Sequence, residues 1–132
     1  MRYNKFRCVL LIDDNDIDNF TNKKKIEQCN FAGQIHLAKN ANDGISLLKQ
    51  LEKTPHLLPE IIFLDIKMPE VDGFGFLKLF ESLSDAVKSK CNIIMLTSSI
   101  DSIDYNRALS NPFVINYLKK PLNIEELMMI AA

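Results

Sequence analysis

Five apolar runs of strand length recur along the chain: "CVLLI" (8–12), "IHLAK" (35–39), "IIFL" (61–64), "NIIML" (92–96) and "VINYL" (114–118). The segments between them have helical spacing. Ile17, Phe20 and Lys24 continue toward Cys29 in a first helix, and Ile45, Leu48 and Leu51 line a second. Phe76, Leu77, Phe80 and Leu83 line a third, Ile103 and Ala108 a shorter and more polar fourth, and Ile124, Leu127 and Met128 a fifth. This alternation constrains the fold more than any single residue does. A helix between two strands returns the chain to the edge it started from, so the strands must run parallel. Five such repeats predict a doubly wound α/β domain with helices on both faces of a parallel sheet.

The strands differ in a way that orders them. "CVLLI", "IIFL" and "NIIML" are almost unbroken apolar runs, as expected where both faces of a strand are covered. "IHLAK" and "VINYLKK" admit polar residues and suit the sheet edges. The flavodoxin-like order 2-1-3-4-5 places strands 1, 3 and 4 in the middle and is reached by right-handed crossovers.

A chain of 132 residues, 47% hydrophobic and 25% charged, has the composition of one globular domain. Sixteen basic and seventeen acidic side chains give a net charge of −1, and no long basic run points to nucleic acid or a membrane surface. The opening "MRYNKFRCVLLIDD" stops at carboxylates, unlike a signal peptide, and no apolar stretch is long enough to span a bilayer. Cys8, Cys29 and Cys91 lie far apart, mostly in apolar segments, and read as buried thiols of a cytoplasmic protein. "EKTPHLLPE" (52–60) reads as a loop, since its two prolines forbid a continued helix. There are no repeats or linkers. The chain closes within the fifth helix at "NIEELMMIAA", so the expectation is one domain over 1–132 with no output module.

In such sheets, ligands collect beyond the carboxyl ends of the strands, where the strand order reverses. Strand 1 delivers Asp13 and Asp14, strand 3 Asp65, strand 4 Thr97 and strand 5 Lys120. Strand 2, on the far edge, delivers only Lys39 and Asn40. A strand-terminal aspartate most often caps the next helix, Thr97 could do the same, and Lys120 alone could be a solvated edge charge. Their joint occurrence on adjacent strands is what carries information. Two carboxylates about 4 Å apart repel by roughly 4 kcal/mol at an effective dielectric of about 20. Three together call for raised pKa values or a divalent cation. Oxygen-only ligands favour Mg²⁺ or Mn²⁺ over zinc, and a magnesium ion with open positions takes a phosphoryl group. Lys120 and Thr97 would then meet the phosphoryl oxygens.

The acidic pair Asp13–Asp14, Asp65 within "DIKMPEVDG", Thr97 after an apolar strand, and Lys120–Pro121 together resemble the receiver domain of two-component response regulators. The likeness extends from about Arg7 to the end and is nearest to single-domain, CheY-like receivers. It implies that Asp65 accepts a phosphoryl group from a phosphohistidine on a sensor kinase, forming an acyl phosphate. It implies Mg²⁺ held by Asp14, Asp65 and the backbone carbonyl of Lys67, with Asp13 acting through water, and Lys120 stabilising the transferred group. It further implies a cis Lys120–Pro121 bond and a switch made by Thr97 and Tyr117. Thr97 would move toward the phosphate and Tyr117 inward, remodelling the face of the fourth helix, fifth strand and fifth helix for partners. Partners implied are a histidine kinase or histidine phosphotransfer protein and an unspecified downstream protein. The resemblance leaves open a relay role, in which phosphate passes on to another histidine. It also makes Lys67 and Ser99, each two residues past a site residue, candidates for tuning phosphate lifetime.

Other residues read more plainly. Gly73 is expected to supply a backbone conformation that side chains resist. Asn111 is expected to be left-handed in "LSNPFVIN", replacing a glycine turn. Asp16 and Asp18 read as first-turn residues favoured by the helix dipole, without a ligand role. His36 and His56 read as solvated. A calcium loop from Asp14 fails because its sixth and twelfth positions are Asn19 and Lys25. A haloacid-dehalogenase-type phosphatase needs a longer chain and a late acidic motif, whereas only Glu125 and Glu126 follow Lys120.

Overall fold

Each apolar run becomes a strand in the computed structural model, which describes residues 4–131. The strands are β1 (Phe6–Ile12), β2 (Ala32–Ala38), β3 (Ile61–Asp65), β4 (Asn92–Thr97) and β5 (Val114–Lys119). They pair in parallel in the order β2-β1-β3-β4-β5, as expected, with one register shift between Ile93 and Ile94 where β4 meets β5. The helices are α1 (Asp16–Gln28), α2 (Ala41–Leu51), α3 (Gly73–Glu81), α4 (Asp85–Lys90), α5 (Ser102–Leu109) and α6 (Ile124–Ala131).

Short polar side chains start most of these helices. Asn15 accepts from the Asp18 N–H, Asn40 from Asp43, Asp72 from Gly75, and Asp101 from Ile103 and Asp104. Each satisfies backbone donors that the first helical turn leaves unpaired. Among the described residues, six helices replace the five expected. The third apolar segment ends as a helix at Glu81, and buried Leu83 lies in the connection beyond it. Ser84 then caps the short α4, which contributes one fully buried residue, Val87. The loop at 52–60 also contains a 3₁₀ turn at Pro55–Leu57.

Alternation along the strands divides the core. Leu10, Ile12, Ile62, Leu64, Ile93 and Met95 face α2, α3, α4 and α5, where they meet Leu48, Phe76, Phe80, Val87 and Ala108. Val9, Leu11, Phe63, Ile94 and Leu96 face α1 and α6, meeting Ile26 and Leu127. Burial on both faces is why the central strands read as continuous apolar runs.

Helix α1 departs from its expected orientation. Ile17 and Phe20 are 75% and 62% exposed, while Asn19, Asn22 and Ile26 are buried. The buried polar residues of its first two turns bond to loop backbone. Asn19 Nδ2 donates to the Asp13 carbonyl at 2.9 Å, and Asn22 Oδ1 accepts from the Leu122 N–H at 2.9 Å. Backbone groups at this depth need partners, so the polar stripe turns inward. Ile103 and Met128 are likewise exposed, and α5 is held chiefly through Ala108 and α6 through Leu127.

Two turn expectations are also corrected. Gly73 does not have a positive φ; a Cβ there would lie 2.8 Å from the Asp65 carbonyl oxygen and 2.9 Å from the Ile66 Cα. Its role is close approach to the backbone following Asp65. The left-handed residue of that loop is Glu70, at φ 68°. Asn111 is not left-handed; its side chain accepts from the Phe113 N–H at 2.9 Å and closes the turn that way.

Candidate functional site

Parallel pairing in this order brings the carboxyl ends of β1, β3, β4 and β5 to one edge. The β1 end is tied by the Asp13 N–H to Ala38, the β3 end by the Ile66 N–H to Leu96, and the β5 end by the Lys120 N–H to Thr97. Side chains just beyond these bonds project together into the same crevice. The capping alternative falls away here, because Asn15, Asp72 and Asp101 cap the helices that follow. Asp13, Asp65 and Thr97 are buried with no such task, and Asp14 is exposed at the mouth.

Carboxylate oxygens of Asp13, Asp14 and Asp65 lie within 4.8 Å of one another. Opposite them stands Lys120, with Nζ 3.0 Å from Asp13 Oδ2 and 3.5 Å from Asp65 Oδ1. The Lys120–Pro121 bond is cis. Burial, and then the negative charge of Asp13, push the Asp65 carboxyl from 3.8 up to about 6. Lys120 and a hydrogen bond from the Lys67 backbone N–H pull the other way. For Lys120, burial alone would lower the pKa, but hydrogen bonds to Asp18 and Asp13 outweigh it and raise the ammonium further.

This donor set fits a hard divalent cation. Three carboxylates without histidine or cysteine offer the oxygen ligands that Mg²⁺ takes, and Asp65 carries an unfavourable charge that a cation would relieve.

The remaining expected residues lie nearby with distinct partners. The Thr97 hydroxyl donates to the Ser99 carbonyl at 2.8 Å and accepts from its N–H. Tyr117 is buried on the α5 side, its ring edge-on to Tyr105 with centroids 5.5 Å apart and its hydroxyl without a partner. The Lys67 side chain points to solvent.

Asp18 was expected only to favour its helix terminus. Its Oδ2 instead stands 2.7 Å from Lys120 Nζ, nearer than either other carboxylate. The signal for this lay in the polar stripe Asp18, Asn19 and Asn22, which helical spacing places on one face with buried Ile26. Asp16, two residues earlier, points elsewhere and pairs with Lys39 at 2.8 Å.

Known proteins share both sequence and shape with this chain. The model of the response regulator receiver domain matches residues 9–132. The "Probable methanogenesis regulatory protein FilR2" of Methanothrix harundinacea is 30% identical over 119 residues, covering 90% of this chain and 75% of that protein. The transcriptional regulatory protein HptR of Staphylococcus aureus is 32% identical over 96 residues, which is 33% of its own length. A two-component response regulator from Cytophaga hutchinsonii superposes with a TM-score of 0.88 at 32% identity, covering 98% of each chain. A response regulator receiver protein from Dyadobacter fermentans does so with a TM-score of 0.83 at 27% identity, covering 94% of each. With its sheet order, acidic crevice and matched residues in agreement, the chain belongs to the response regulator receiver domain family of two-component systems.

Proposed function

We propose that Asp65 accepts a phosphoryl group from a phosphohistidine of a sensor kinase or histidine phosphotransfer protein. A carboxylate oxygen of Asp65 attacks phosphorus and the P–N bond breaks. Its electron pair stays on the imidazole nitrogen, which takes up a proton, and an acyl phosphate remains on the aspartate. The observation that carries this reading is the convergence of Asp13, Asp14 and Asp65 within 4.8 Å, opposed by Lys120.

Asp14, Asp65 and the Lys67 carbonyl would hold Mg²⁺, with Asp13 reaching it through water. When bound, the ion neutralises charge on the phosphoryl oxygens. Asp65 needs no base, since it attacks as the carboxylate that predominates above about pH 6. Lys120 supplies a fixed positive charge for the oxygens that face away from the metal ligands. Thr97 would release its bond to Ser99 and donate to the phosphoryl group. Tyr117, with its unpaired hydroxyl against Tyr105 of α5, would report that movement to the α5–β5–α6 face. The protein acts in the cytoplasm by contact with a downstream protein, and it is a signalling receiver whose only chemistry is its own phosphorylation and dephosphorylation.

Incubation with acetyl phosphate and Mg²⁺ tests this. Intact-mass spectrometry should find one added phosphoryl group that acid-quenched peptide mapping places on Asp65, and none in Asp65→Asn. Phosphotransfer profiling against candidate kinases then identifies the donor. Undiminished transfer to Asp65→Asn overturns the assignment.

A further inference from the structure

An ammonium has three N–H donors and no acceptors, so its aim is set by what its protons are given to. Lys120 Nζ has three carboxylate neighbours: Asp18 at 2.7 Å, Asp13 at 3.0 Å and Asp65 at 3.5 Å. The first two are charge-assisted hydrogen bonds by distance, while the third is too long for one. Two protons are thereby committed and the third is directed toward Asp65. The lysine side chain is long and flexible, and a single anchor would let the ammonium swing about it.

Asp18 is well placed to be the second anchor. It stands in the first turn of α1, whose position is fixed by the Asn19 bond to the Asp13 carbonyl and the Asn22 bond to the Leu122 N–H. Those bonds grip the chain on both sides of the crevice, just after β1 and just after Lys120–Pro121. Asp18 is therefore held in register with the lysine it orients.

We infer that Asp18 is a positioning residue for phosphoryl transfer, holding the Lys120 ammonium so that its free proton meets an oxygen of the arriving phosphoryl group. It touches neither the phosphoryl group nor the cation and acts through Lys120 alone. This rests on the reading of Asp65 as phosphoacceptor.

Two quantities test it: the rate of Asp65 phosphorylation by acetyl phosphate with Mg²⁺, and the affinity for beryllofluoride, which mimics the phosphoryl group. Asp18→Ala should weaken both about tenfold, the effect of losing one charge-assisted bond that orients a reacting group. Asp16→Ala removes the same charge from the same helical turn without touching Lys120, and should leave both unchanged. Asp18→Glu should restore part of the loss. In a Lys120→Ala background, Asp18→Ala should have no further effect, which a purely structural role for α1 would not produce. Equal behaviour of Asp18→Ala and Asp16→Ala overturns the inference, as do tighter beryllofluoride binding in Asp18→Ala or additive losses in the double variant. Failure of the unmodified protein to be phosphorylated on Asp65 would instead defeat the underlying reading, and the two failures are distinguishable.

Discussion

At the residue, the informative groups are those whose surroundings do not suit them. The Tyr117 hydroxyl is buried without a hydrogen-bond partner. Leaving such a group unpaired costs free energy that its removal returns. Tyr117→Phe should therefore raise stability by about 1 kcal/mol in urea unfolding while weakening coupling between Asp65 and α5. Asp65 is the second case. Its carboxyl titrates at about 6 when folded against 3.8 ordinarily, so the folded state holds this proton more tightly than the unfolded chain. Its contribution to stability is complete below about pH 4 and is lost as pH rises through about 6. In chelator, the unfolding free energy of the unmodified protein should fall by ~2–3 kcal/mol relative to Asp65→Asn across that window. Adding Mg²⁺ should reverse the loss above pH 6, because the ion binds the charged form. The residues gathered at the carboxyl edge of the sheet, Asp13, Asp14, Asp65, Thr97 and Lys120, could be picked out in the sequence because each ends or closely follows an apolar strand. Asp18 beside Lys120 was signalled only by a polar stripe, since its partner depends on where α1 sits.

Among the elements, strands were easier to read than helices. A strand buried on both faces declares itself by composition, and each of the runs became a strand within a few residues of its expected bounds. Helix α1 misled because Ile17 and Phe20 fit an apolar spacing while the residues it turns inward, Asn19 and Asn22, bond to backbone groups. A short helix such as α4, with one buried residue, leaves almost no periodic trace. The orientation of α1 makes a contrast that equilibrium denaturation can check. Asn22→Ala strips the partner from the Leu122 N–H and should cost about 1–3 kcal/mol. Phe20→Ser, although it removes a large apolar ring, should change stability by under about 0.5 kcal/mol. The reverse ranking would place the apolar side of α1 inward.

For the whole molecule, the two cores on either face of the sheet make the crevice a rigid edge, not a loop-built pocket. Its acids are held together at an electrostatic cost that the surrounding fold sustains. A cation that binds this folded arrangement and not the unfolded chain must add stability by mass action. At a hundredfold excess over its dissociation constant, Mg²⁺ should raise the unfolding free energy by about 2.7 kcal/mol. Asp14→Ala should reduce that gain in thermal unfolding, since Asp14 belongs to the acidic group.

Lys120 meets Asp13 across 107 positions of chain. A nascent polypeptide whose last strand is still inside the ribosomal exit tunnel holds its acids without their counter-charge. On the proposed reading it lacks the fixed positive charge that would meet an arriving phosphoryl group, however well its earlier strands have paired. The proposed site is thus whole only once the last strand has joined the sheet.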